Sequence, residues 1–461
     1  MSQKFDLVVL GGGPGGYVAA IRAAQLGLNV GIIDEHTQFG GTCLRVGCIP
    51  SKALLESSHA YETATHEMAQ HGIEVGQVGL NLAQMMKRKD EIVAQLTGGI
   101  NMLLKRNKVT MLVGRGQLAS AHEIEVTGQD AGLVSADRII IATGSVPTIF
   151  PGIEFDGTMI GDSTTALSFA AAPKELIVIG AGYIGLEMGS VWNRLGSQVT
   201  VLEALDRILP GMDGEMAKLA HRTFEKQGLN FKTGMWVESA KVDGDRCVVQ
   251  CKDQEPMHAD RVLICTGRSP NTSQIGLKNA GVATDARGFI TVDENYRSSA
   301  DSIFAIGDCI GGAMLAHKAS DEGIACVEKI VTGYGHLDYG AIPGIVYTHP
   351  EIASVGQTEE QLKEQGIKYN KGMCPYGANG RARTLGDTSG RVKILADAET
   401  DRILGVHAIG LHAGDLIAEA TVAMTFKASS EDLARCIHAH PTLSEIVMEA
   451  ALAVNKQAIH T

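Results

Sequence analysis

The sequence has no run of roughly 18 apolar residues, so it lacks the segment that a membrane-spanning helix requires. Positive charge is also scarce, because 40 Lys and Arg stand against 52 Asp and Glu and the net charge is −12. A nucleic-acid or anionic-membrane surface is therefore a poor expectation. The nine cysteines are an odd number and do not indicate a secreted disulfide scaffold. No targeting segment precedes the apolar run Leu7 to Leu10, and we expect a cytoplasmic protein, in which a disulfide is more often catalytic than structural.

Glycine, in contrast, is abundant, with 55 among 461 residues, and it marks two similar segments. Each segment begins with a predicted buried strand, at residues 5–10 and 175–179, and continues with G-x-G-x-x-G and a helix-like run. Each then ends in a second apolar strand closed by an acid. Asp34 and Glu203 both lie 23 residues after the first glycine of their copy. This repeat indicates a duplicated βαβ unit and not a chance cluster of glycines.

The fingerprint has a physical reason for each of its positions. The first glycine permits a tight turn, the second lets the backbone approach a pyrophosphate, and the third allows close packing of helix and strand. The helix N-terminus offers free N–H groups, and the acid can accept hydrogen bonds from a ribose 2′-OH. Two complete fingerprints predict two dinucleotides, with a sharp turn that binds nothing as the alternative for each. Glu203 would repel a 2′-phosphate, and only Arg207 stands nearby, so the second copy favours NAD over NADP.

The rest of the chain extends this pattern. Residues 138–142 and 261–265 are predicted strands that each run into Thr-Gly, and residues 301–308 are predicted as a strand ending in Asp308. Beyond about Pro343, extended segments alternate with amphipathic helices near 414–427 and 443–454. This change of pattern predicts a separate α+β domain at the C-terminal end.

Cys43 and Cys48 follow the first acid closely. On a regular helix this spacing places the two Cα atoms roughly 8.7 Å apart, and a disulfide needs less than about 7 Å. A bond between them therefore requires a bent backbone, which Gly47 permits. The spacing alone leaves a disulfide and two buried thiols equally open, and zinc is disfavoured because no neighbouring Cys or His completes a tetrahedral set. Pro50 predicts the start of a helix that continues to Ala64.

The segment GGTCLRVGCIPSKALL resembles the redox-active motif of the flavin-dependent pyridine nucleotide–disulfide oxidoreductases, in particular their dihydrolipoamide dehydrogenase branch. Arg45 departs from the motif, which commonly has Asn there, and it could shift the local redox potential. The resemblance covers essentially the whole chain, including both glycine fingerprints, Thr143-Gly144 and residues 305–308, 314–317 and 438–445.

The resemblance implies oxidation of protein-bound dihydrolipoamide with reduction of NAD⁺, through a Cys43–Cys48 redox disulfide. In this scheme Cys43 exchanges with the dithiol, Cys48 faces the flavin, and Lys52 lies near the flavin and pairs with Glu187. No metal is expected. The residues implied to bind FAD are Gly11, Gly13, Gly16, Asp34, Gly41, Thr42, Lys52, Gly116, Thr143, Gly144, Ser145, Asp308, Met314, Leu315, Ala316 and His317. The residues implied to bind NAD are Gly180, Gly182, Tyr183, Ile184, Gly185, Glu203, Val237 and Gly267.

His440 is the candidate general base. A dithiol must lose a proton before it attacks a disulfide, and an imidazole with a pKa of about 6.5 suits that task. A carboxylate at the far ring nitrogen, here that of Glu445, would fix the tautomer. From the residues alone a plain loop histidine is at least as good an interpretation, and the resemblance favours the base. For the neighbouring His438 we expect a structural role.

The resemblance also implies an α/β fold of the glutathione-reductase type. It consists of two Rossmann-like domains for FAD and NAD and a C-terminal α+β dimerisation domain. The expected boundaries are 1–148 for FAD, 149–272 for NAD, 273–343 for a central domain returning to FAD, and 344–461 for the dimer interface.

Cys43 and His440 lie at opposite ends of the chain, and the resemblance implies that they meet from different subunits of an obligate homodimer. The implied partners are lipoyl domains and the acyltransferase core of 2-oxoacid dehydrogenase complexes, or the lipoyl carrier protein of a glycine-cleavage system.

Alternatives within the family are the glutathione, trypanothione and mercuric reductases. Glu203 weighs against the NADPH-using glutathione type, and residues 455–461 lack the Cys pair that would indicate a mercuric reductase. A scaffold flavoprotein with a vestigial redox centre is disfavoured, since both cysteines and the three residues implied to assist them, Lys52, His440 and Glu445, are present.

Overall fold

A computed structural model describes residues 3–461, which divide into two units. Unit 1 comprises the chain up to Ala53, Gln84–Thr148 and Gly267–Leu337, and unit 2 comprises Leu54–Ala83, Ile149–Thr266 and Asp338–Thr461. Among the described residues, no helix is long and apolar enough to cross a membrane. The division into four domains, with boundaries at 148/149, 272/273 and 343/344, stays a prediction.

The elements alternate between strands and helices over most of the chain. The strands are β1 Gln3–Leu10, β2 Val30–Asp34, β3 Thr110–Val113, β4 Arg115–Leu118, β5 Glu123–Thr127, β6 Gly132–Ile141, β7 Ser145–Pro147, β8 Ile160–Gly161, β9 Glu175–Ile179, β10 Gln198–Glu203, β11 Asn230–Thr233, β12 Val237–Asp243, β13 Arg246–Cys251, β14 Met257–Ala259, β15 Arg261–Ile264, β16 Arg268–Pro270, β17 Ile303–Ala305, β18 Gly344–Val346, β19 Glu351–Gly356, β20 Tyr369–Pro375, β21 Arg391–Asp397 and β22 Ile403–Gly410. The α-helices are α1 Pro14–Gln25, α2 Gly41–Val46, α3 Cys48–Glu62, α4 Leu82–Arg106, α5 Ser163–Ala166, α6 Tyr183–Arg194, α7 Gly214–Lys226, α8 Ala316–Thr332, α9 Glu359–Glu364, α10 Gly380–Leu385, α11 Ala413–Thr425, α12 Ser430–Arg435 and α13 Glu445–Val454. Shorter helical turns are Thr63–Glu67, Met68–His71, Leu277–Ala280, Gly307–Ile310, Tyr339–Ala341 and Tyr376–Ala378.

Unit 1 is built on a seven-stranded sheet in the order β3-β2-β1-β6-β5-β4, with β17 beside β6. Strands β3, β2, β1, β6 and β17 are parallel, and β5 runs antiparallel to both of its neighbours. The last four residues of the central strand β1, Leu7 to Leu10, are apolar and buried, and Val8 and Val9 point to opposite faces of the sheet. Helices α1 and α8 pack closely, since a Cβ on Gly323 would lie 2.7 Å from the carbonyl oxygen of Gly15.

Unit 2 contains three sheets. A parallel five-stranded sheet has the order β11-β10-β9-β15-β8, and a three-stranded antiparallel sheet has the order β12-β13-β14. The C-terminal part forms an antiparallel sheet in the order β18-β19-β22-β21-β20, against which α11 and α13 pack. The approach of α13 to β20 requires Gly372, where a Cβ would lie 2.1 Å from the carbonyl oxygen of Ala450.

This architecture confirms the predicted α/β class, with two Rossmann-like βαβ units and a C-terminal α+β part. The strands of both βαβ units lie within one or two residues of their predicted positions. The strand predicted over residues 301–308 was too long, because only Ile303–Ala305 pairs as a strand, although Ile306 is still extended. Gly307 then takes a φ of +75°, and Gly307–Ile310 forms a 3₁₀ turn.

A buried ion cluster in unit 2 connects the start of α7 to the C-terminal sheet. The Lys393 ammonium, 1% exposed on β21, lies 2.9 Å from Asp213 Oδ2 and 2.9 Å from Glu215 Oε2, and it also contacts Glu359. Burial opposes the charge on this lysine, but its carboxylate partners outweigh burial and raise the pKa of Lys393. Asp213 is itself fully buried and caps α7 by accepting from the Glu215 N–H at 3.1 Å.

Replacing Lys393 by Met should destabilise the protein by about 3–5 kcal/mol, because the Asp213 carboxylate would remain buried without its cation. The measurement is the shift of the urea unfolding midpoint, read by far-UV circular dichroism. Lys363→Met is the matched control, since the Lys363 ammonium contacts the same Glu359 at 2.8 Å but is 63% exposed. The control should leave the unfolding midpoint close to that of the wild type, because an exposed ion pair contributes little to stability. Equal, small effects of the two substitutions would contradict this role for Lys393.

Candidate functional site

The first glycine fingerprint forms a turn that excludes side chains at two positions. Gly11 has a φ of +112°, and a Cβ there would lie 2.3 Å from the carbonyl oxygen of Ala142. A Cβ on Gly16 would lie 1.9 Å from the carbonyl oxygen of Gly11. The middle glycine, Gly13, has no atom closer than 3.8 Å to its added Cβ, so it faces space that a ligand can enter. The three glycines therefore have the separate purposes expected of a dinucleotide-binding turn.

The second fingerprint repeats this geometry in unit 2. Gly180 has a φ of +106°, and its Cβ would lie 2.3 Å from the carbonyl oxygen of Cys265. A Cβ on Gly185 would lie 2.2 Å from the carbonyl oxygen of Gly180. Around a Cβ on Gly182 nothing lies within 4 Å. The duplication seen in the sequence is therefore also a duplication of backbone geometry.

The acids at the ends of β2 and β10 brace these turns. Each carboxylate accepts one hydrogen bond from the backbone N–H that follows the first glycine and another from the N–H two residues after the acid. The distances are 2.8 Å from Gly12 N to Asp34 Oδ2, 2.9 Å from His36 N to Asp34 Oδ1, 2.7 Å from Ala181 N to Glu203 Oε2 and 3.0 Å from Leu205 N to Glu203 Oε1. Each acid therefore also fixes the conformation of its own turn, in addition to being a possible ribose acceptor. The sequence analysis did not predict this structural role.

The helices α1, α6 and α8 begin without a side-chain cap, as α2, α11 and α13 also do. The N-cap residues of α1, α6 and α8 are Gly13, Gly182 and Leu315, and none of them hydrogen-bonds the first turn through its side chain. The first backbone N–H groups of each helix are therefore available to a ligand, and the helix dipole favours negative charge there. Together with the open space at the middle glycines, these N-termini fit a pyrophosphate at α1 and another at α6.

A chain of hydrogen bonds in unit 1 orients Asp308. Ser145 Oγ donates to Asp308 Oδ2 at 2.5 Å. Arg268 in turn donates from Nε to Ser145 Oγ at 2.7 Å and from Nη2 to the Ser145 carbonyl at 2.6 Å. Arg268 was missed in the sequence, where only its place directly after Gly267 could have drawn attention to it.

A buried ion pair on α8 holds the turn that carries Asp308. Glu322 accepts from the Gly307 N–H at 2.7 Å and lies 2.9 Å from the Lys318 ammonium, which donates to the Gly311 carbonyl at 2.7 Å. Both side chains are almost completely buried. Their i, i+4 spacing was visible in the sequence, but spacing alone also describes an exposed helical pair. The turn is therefore fixed on both sides of Asp308.

Cys43 and Cys48 lie on two helices, α2 and α3, that Gly47 separates. The φ of −138° and ψ of −110° at Gly47 interrupt the helix, and a Cβ there would lie 2.9 Å from the carbonyl oxygen of Thr42. This confirms the bend that the spacing of the cysteines requires. The Cys43 and Cys48 side chains lie close together and are hydrogen-bonded to each other. That hydrogen bond and burial raise the pKa of Cys43.

Lys52 and Glu187 were predicted to pair, and their pairing stays a prediction. Lys52 lies in unit 1 on α3, four residues after Cys48, and its charge partly opposes the rise in the pKa of Cys43. Glu187 lies in unit 2 on α6, is buried, and accepts a hydrogen bond from the Tyr347 N–H at 3.0 Å.

His440 and Glu445 lie together in unit 2. His440 Nδ1 is 2.9 Å from Glu445 Oε1, and Glu445 Oε2 accepts from the Thr442 N–H at 2.8 Å. Because a carboxylate only accepts, Nδ1 carries the hydrogen and Nε2 keeps its lone pair. Partial burial acts against the charge of Glu445, but the bonds from Thr442 and His440 lower its pKa. The His440 side chain is 78% exposed, so its ring is accessible from solvent.

The other predicted cofactor residues occupy strand ends, helix starts and loops. In unit 1, Gly41 and Thr42 begin α2, Gly116 lies in β4, Thr143 and Gly144 follow β6, Met314 to His317 span the start of α8, and Gly267 precedes β16. In unit 2, Tyr183 and Ile184 form the first turn of α6, and Val237 begins β12. The binding roles of all these residues stay predictions.

Two family models match the chain. The model described as pyridine nucleotide-disulphide oxidoreductase matches residues 5–323, and the corresponding dimerisation domain matches residues 342–451.

Known proteins resemble the chain over its whole length. Dihydrolipoyl dehydrogenase 1, mitochondrial, of Arabidopsis thaliana is 51% identical to this chain. The matched region covers 100% of this chain and 92% of that protein. The dihydrolipoyl dehydrogenase of Cupriavidus necator is 49% identical and spans 100% of both. The crystal structure of LpdA from Mycobacterium tuberculosis has a TM-score of 0.89 at 28% identity and covers 97% of this chain and 99% of that one.

Proposed function

The chain belongs to the pyridine nucleotide-disulphide oxidoreductase family, and from that premise we propose that it oxidises dihydrolipoamide to lipoamide with reduction of NAD⁺ to NADH. The observation that supports this function is a sequence identity of 51% and 49%, over the whole of this chain, to dihydrolipoyl dehydrogenases from a plant and a bacterium. The hydrogen-bonded pair Cys43 and Cys48, placed directly after a complete dinucleotide fingerprint, supplies the matching redox centre.

The cofactors are FAD and NAD. The turn at Gly11, Gly13 and Gly16 with the N-terminus of α1 would hold FAD, and the turn at Gly180, Gly182 and Gly185 with the N-terminus of α6 would hold NAD. Asp308, oriented by Ser145, supports the FAD assignment because its carboxylate is fixed as an acceptor. When bound, FAD supplies the chemistry that links a two-electron dithiol couple to hydride transfer with NAD⁺.

The protein's own part in dithiol oxidation begins with a proton. Nε2 of His440 accepts a proton from one thiol of dihydrolipoamide, and Glu445 stabilises the resulting imidazolium. The substrate thiolate then attacks Sγ of Cys43 in the Cys43–Cys48 disulfide. A substrate–Cys43 bond forms, the Cys43–Cys48 bond breaks, and Cys48 leaves as a thiolate.

The second substrate thiol completes the exchange. It loses its proton and attacks the substrate sulfur bound to Cys43, so that the lipoamide disulfide forms and Cys43 is released. Two electrons have then moved from the substrate to the cysteine pair. The released Cys43 sulfur takes up the proton that the second substrate thiol loses, and Cys48 remains the thiolate.

We propose a homodimer in which Cys43 of one chain works with His440 of the partner subunit, supported by the match of residues 342–451 to a dimerisation domain. The domain boundaries 148/149, 272/273 and 343/344 belong to the same proposal. The proposed partners are lipoyl domains and the acyltransferase core of 2-oxoacid dehydrogenase complexes, or a lipoyl carrier protein of a glycine-cleavage system. A cytoplasmic location stays a prediction, and the A. thaliana relative is named a mitochondrial protein.

His440→Ala should lower the turnover of dihydrolipoamide by about 10²–10⁴-fold, because the substrate dithiol would lose its proton acceptor. Reduction of a dye by NADH does not require that proton transfer and should stay near the wild-type rate. Steady-state assays of both reactions on the same preparation make the comparison. A parallel loss of both activities would contradict the role of His440 as base.

Mixed dimers test whether the site is completed by two subunits. Cys43→Ala and His440→Ala proteins should each be inactive with dihydrolipoamide as homodimers. Dissociating and re-associating an equal mixture should restore activity, because half of the random pairs are heterodimers and each heterodimer has one intact site. The assay is turnover after re-association, with each mutant treated alone as the control. No recovery, in a mixture shown by mass spectrometry to contain heterodimers, would contradict the shared site.

A further inference from the structure

Two histidines of unit 2, only two positions apart, have opposite surroundings. The His440 side chain is 78% exposed and its ring contacts a single carboxylate. The His438 side chain is 5% exposed, and both of its ring nitrogens are engaged. The sequence placed them in one short motif, and only the structure separates them.

Both partners of the His438 ring are acceptors. Nδ1 lies 2.9 Å from the carbonyl oxygen of Cys436, and Nε2 lies 2.6 Å from Oε1 of Glu419. A carbonyl never donates, and an ionised carboxylate only accepts. A neutral imidazole has one N–H and could satisfy only one of them. A hydrogen on each ring nitrogen would satisfy both acceptors, as in an imidazolium paired with the Glu419 carboxylate.

The contacts of His438 connect a helix to the loop that carries His440. Glu419 lies on α11, whereas Cys436 begins the loop that runs from the end of α12 to the start of α13. On the far side of His440, the same loop is held by the bond from the Thr442 N–H to Glu445 and by Thr442 Oγ1, which donates to the Ala439 carbonyl at 2.6 Å. Hydrogen bonds therefore hold the loop on both sides of His440.

The charge of His438 also acts on the base. It contributes, after the bonds from Thr442 and His440, to holding the pKa of Glu445 below its usual value. A carboxylate that stays ionised at Glu445 keeps the hydrogen on Nδ1 of His440 and the lone pair on Nε2. Position and charge at His438 therefore favour the same state of His440.

We propose that His438 is a positioning residue: a doubly protonated ring, clamped between Glu419 and the Cys436 carbonyl, which holds the His440 loop so that Nε2 faces the dithiol. This inference rests on the proposed function. It assigns His438 no contact with the reacting atoms.

The first test is His438→Ala in the full-length holoenzyme. The turnover number with dihydrolipoamide should fall by about 10–100-fold, the size expected when a catalytic group is displaced by around 1 Å. The NADH-to-dye activity and the KM for NAD⁺ should stay within twofold of wild type. The control is His460→Ala, since His460 also contacts a buried glutamate, at 2.8 Å from Glu449, but lies outside the His440 loop. The control should leave both activities within twofold.

Glu419→Gln separates position from charge. The glutamine amide can donate to the lone pair of a neutral His438, so the clamp survives without its ion pair. Turnover should then stay within about threefold of wild type, whereas Glu419→Ala, which removes the clamp, should reproduce most of the His438→Ala loss. The protonation state is read from the ring ¹⁵N signals of histidine-labelled protein, with His438→Ala identifying the His438 pair. Both nitrogens should be protonated in wild type and only one in Glu419→Gln.

The outcomes are distinguishable. Wild-type turnover in His438→Ala, or a single protonated ring nitrogen in the wild-type protein, would overturn the proposal. An equal loss of dithiol and dye activities, together with a lowered melting temperature, would show that His438 only stabilises the fold. That result would also overturn the proposal. If the wild-type protein reduces dyes with NADH but does not oxidise dihydrolipoamide, the proposed function fails, while the ¹⁵N measurement still decides the charge state of His438.

Discussion

The absence of a side chain at the first and third glycines of each fingerprint is the constraint on which the rest of the site depends. At Gly16 and Gly185 a Cβ would stand about 2 Å from a carbonyl oxygen of its own turn, so helix and strand could not approach as they do. That approach points the uncapped N-termini of α1 and α6 at the space beside the middle glycines. It also brings the amides of Gly12 and Ala181 within reach of the strand-end acids.

These acids have more than one purpose. Ribose recognition is the usual reason given for an acid at this position, yet both oxygens of Asp34 and of Glu203 already accept backbone N–H groups. Other charged side chains also have two roles. Glu322 and Lys318 neutralise one another and also fix the ends of the Asp308 turn. Glu445 contacts the His440 ring and also accepts the Thr442 N–H in the same loop. These charged side chains therefore fix the backbone conformation next to the predicted site residues.

Local patterns in the sequence predicted the parts of the fold that local physics determines. The two βαβ units and the bend at Gly47 follow from glycine conformations and hydrophobic periodicity. Pro50 predicted the helix α3, which begins slightly earlier, at Cys48, and ends at Glu62 and not at Ala64. The strand at 301–308 was overestimated because its apolar residues continue past Ala305, whereas the left-handed φ of Gly307 ends it. The resemblance to a family, and not periodicity, identified His440 and Glu445.

The links missed in the sequence join residues far apart along the chain. Arg268 reaches Ser145, and Lys393 reaches Asp213, across 123 and 180 positions. No single segment of the sequence contains a signal for such a pair. Whether Arg268, or the i, i+4 pair Lys318 and Glu322, becomes part of a site depends on its burial in the folded chain. The same holds for His438, whose difference from His440 comes from Glu419 on another helix.

The central claim is that Cys43 and Cys48 form the disulfide that dihydrolipoamide reduces. The most direct measurement is alkylation of the oxidised and the substrate-reduced holoenzyme under anaerobic, denaturing quench, followed by mass spectrometry of the peptide that contains both cysteines. The account predicts that neither residue is alkylated in the oxidised enzyme, that both are alkylated after one equivalent of dihydrolipoamide, and that NAD⁺ reverses the change. Alkylation of both cysteines in the oxidised enzyme, or a bond that survives the substrate, would contradict it.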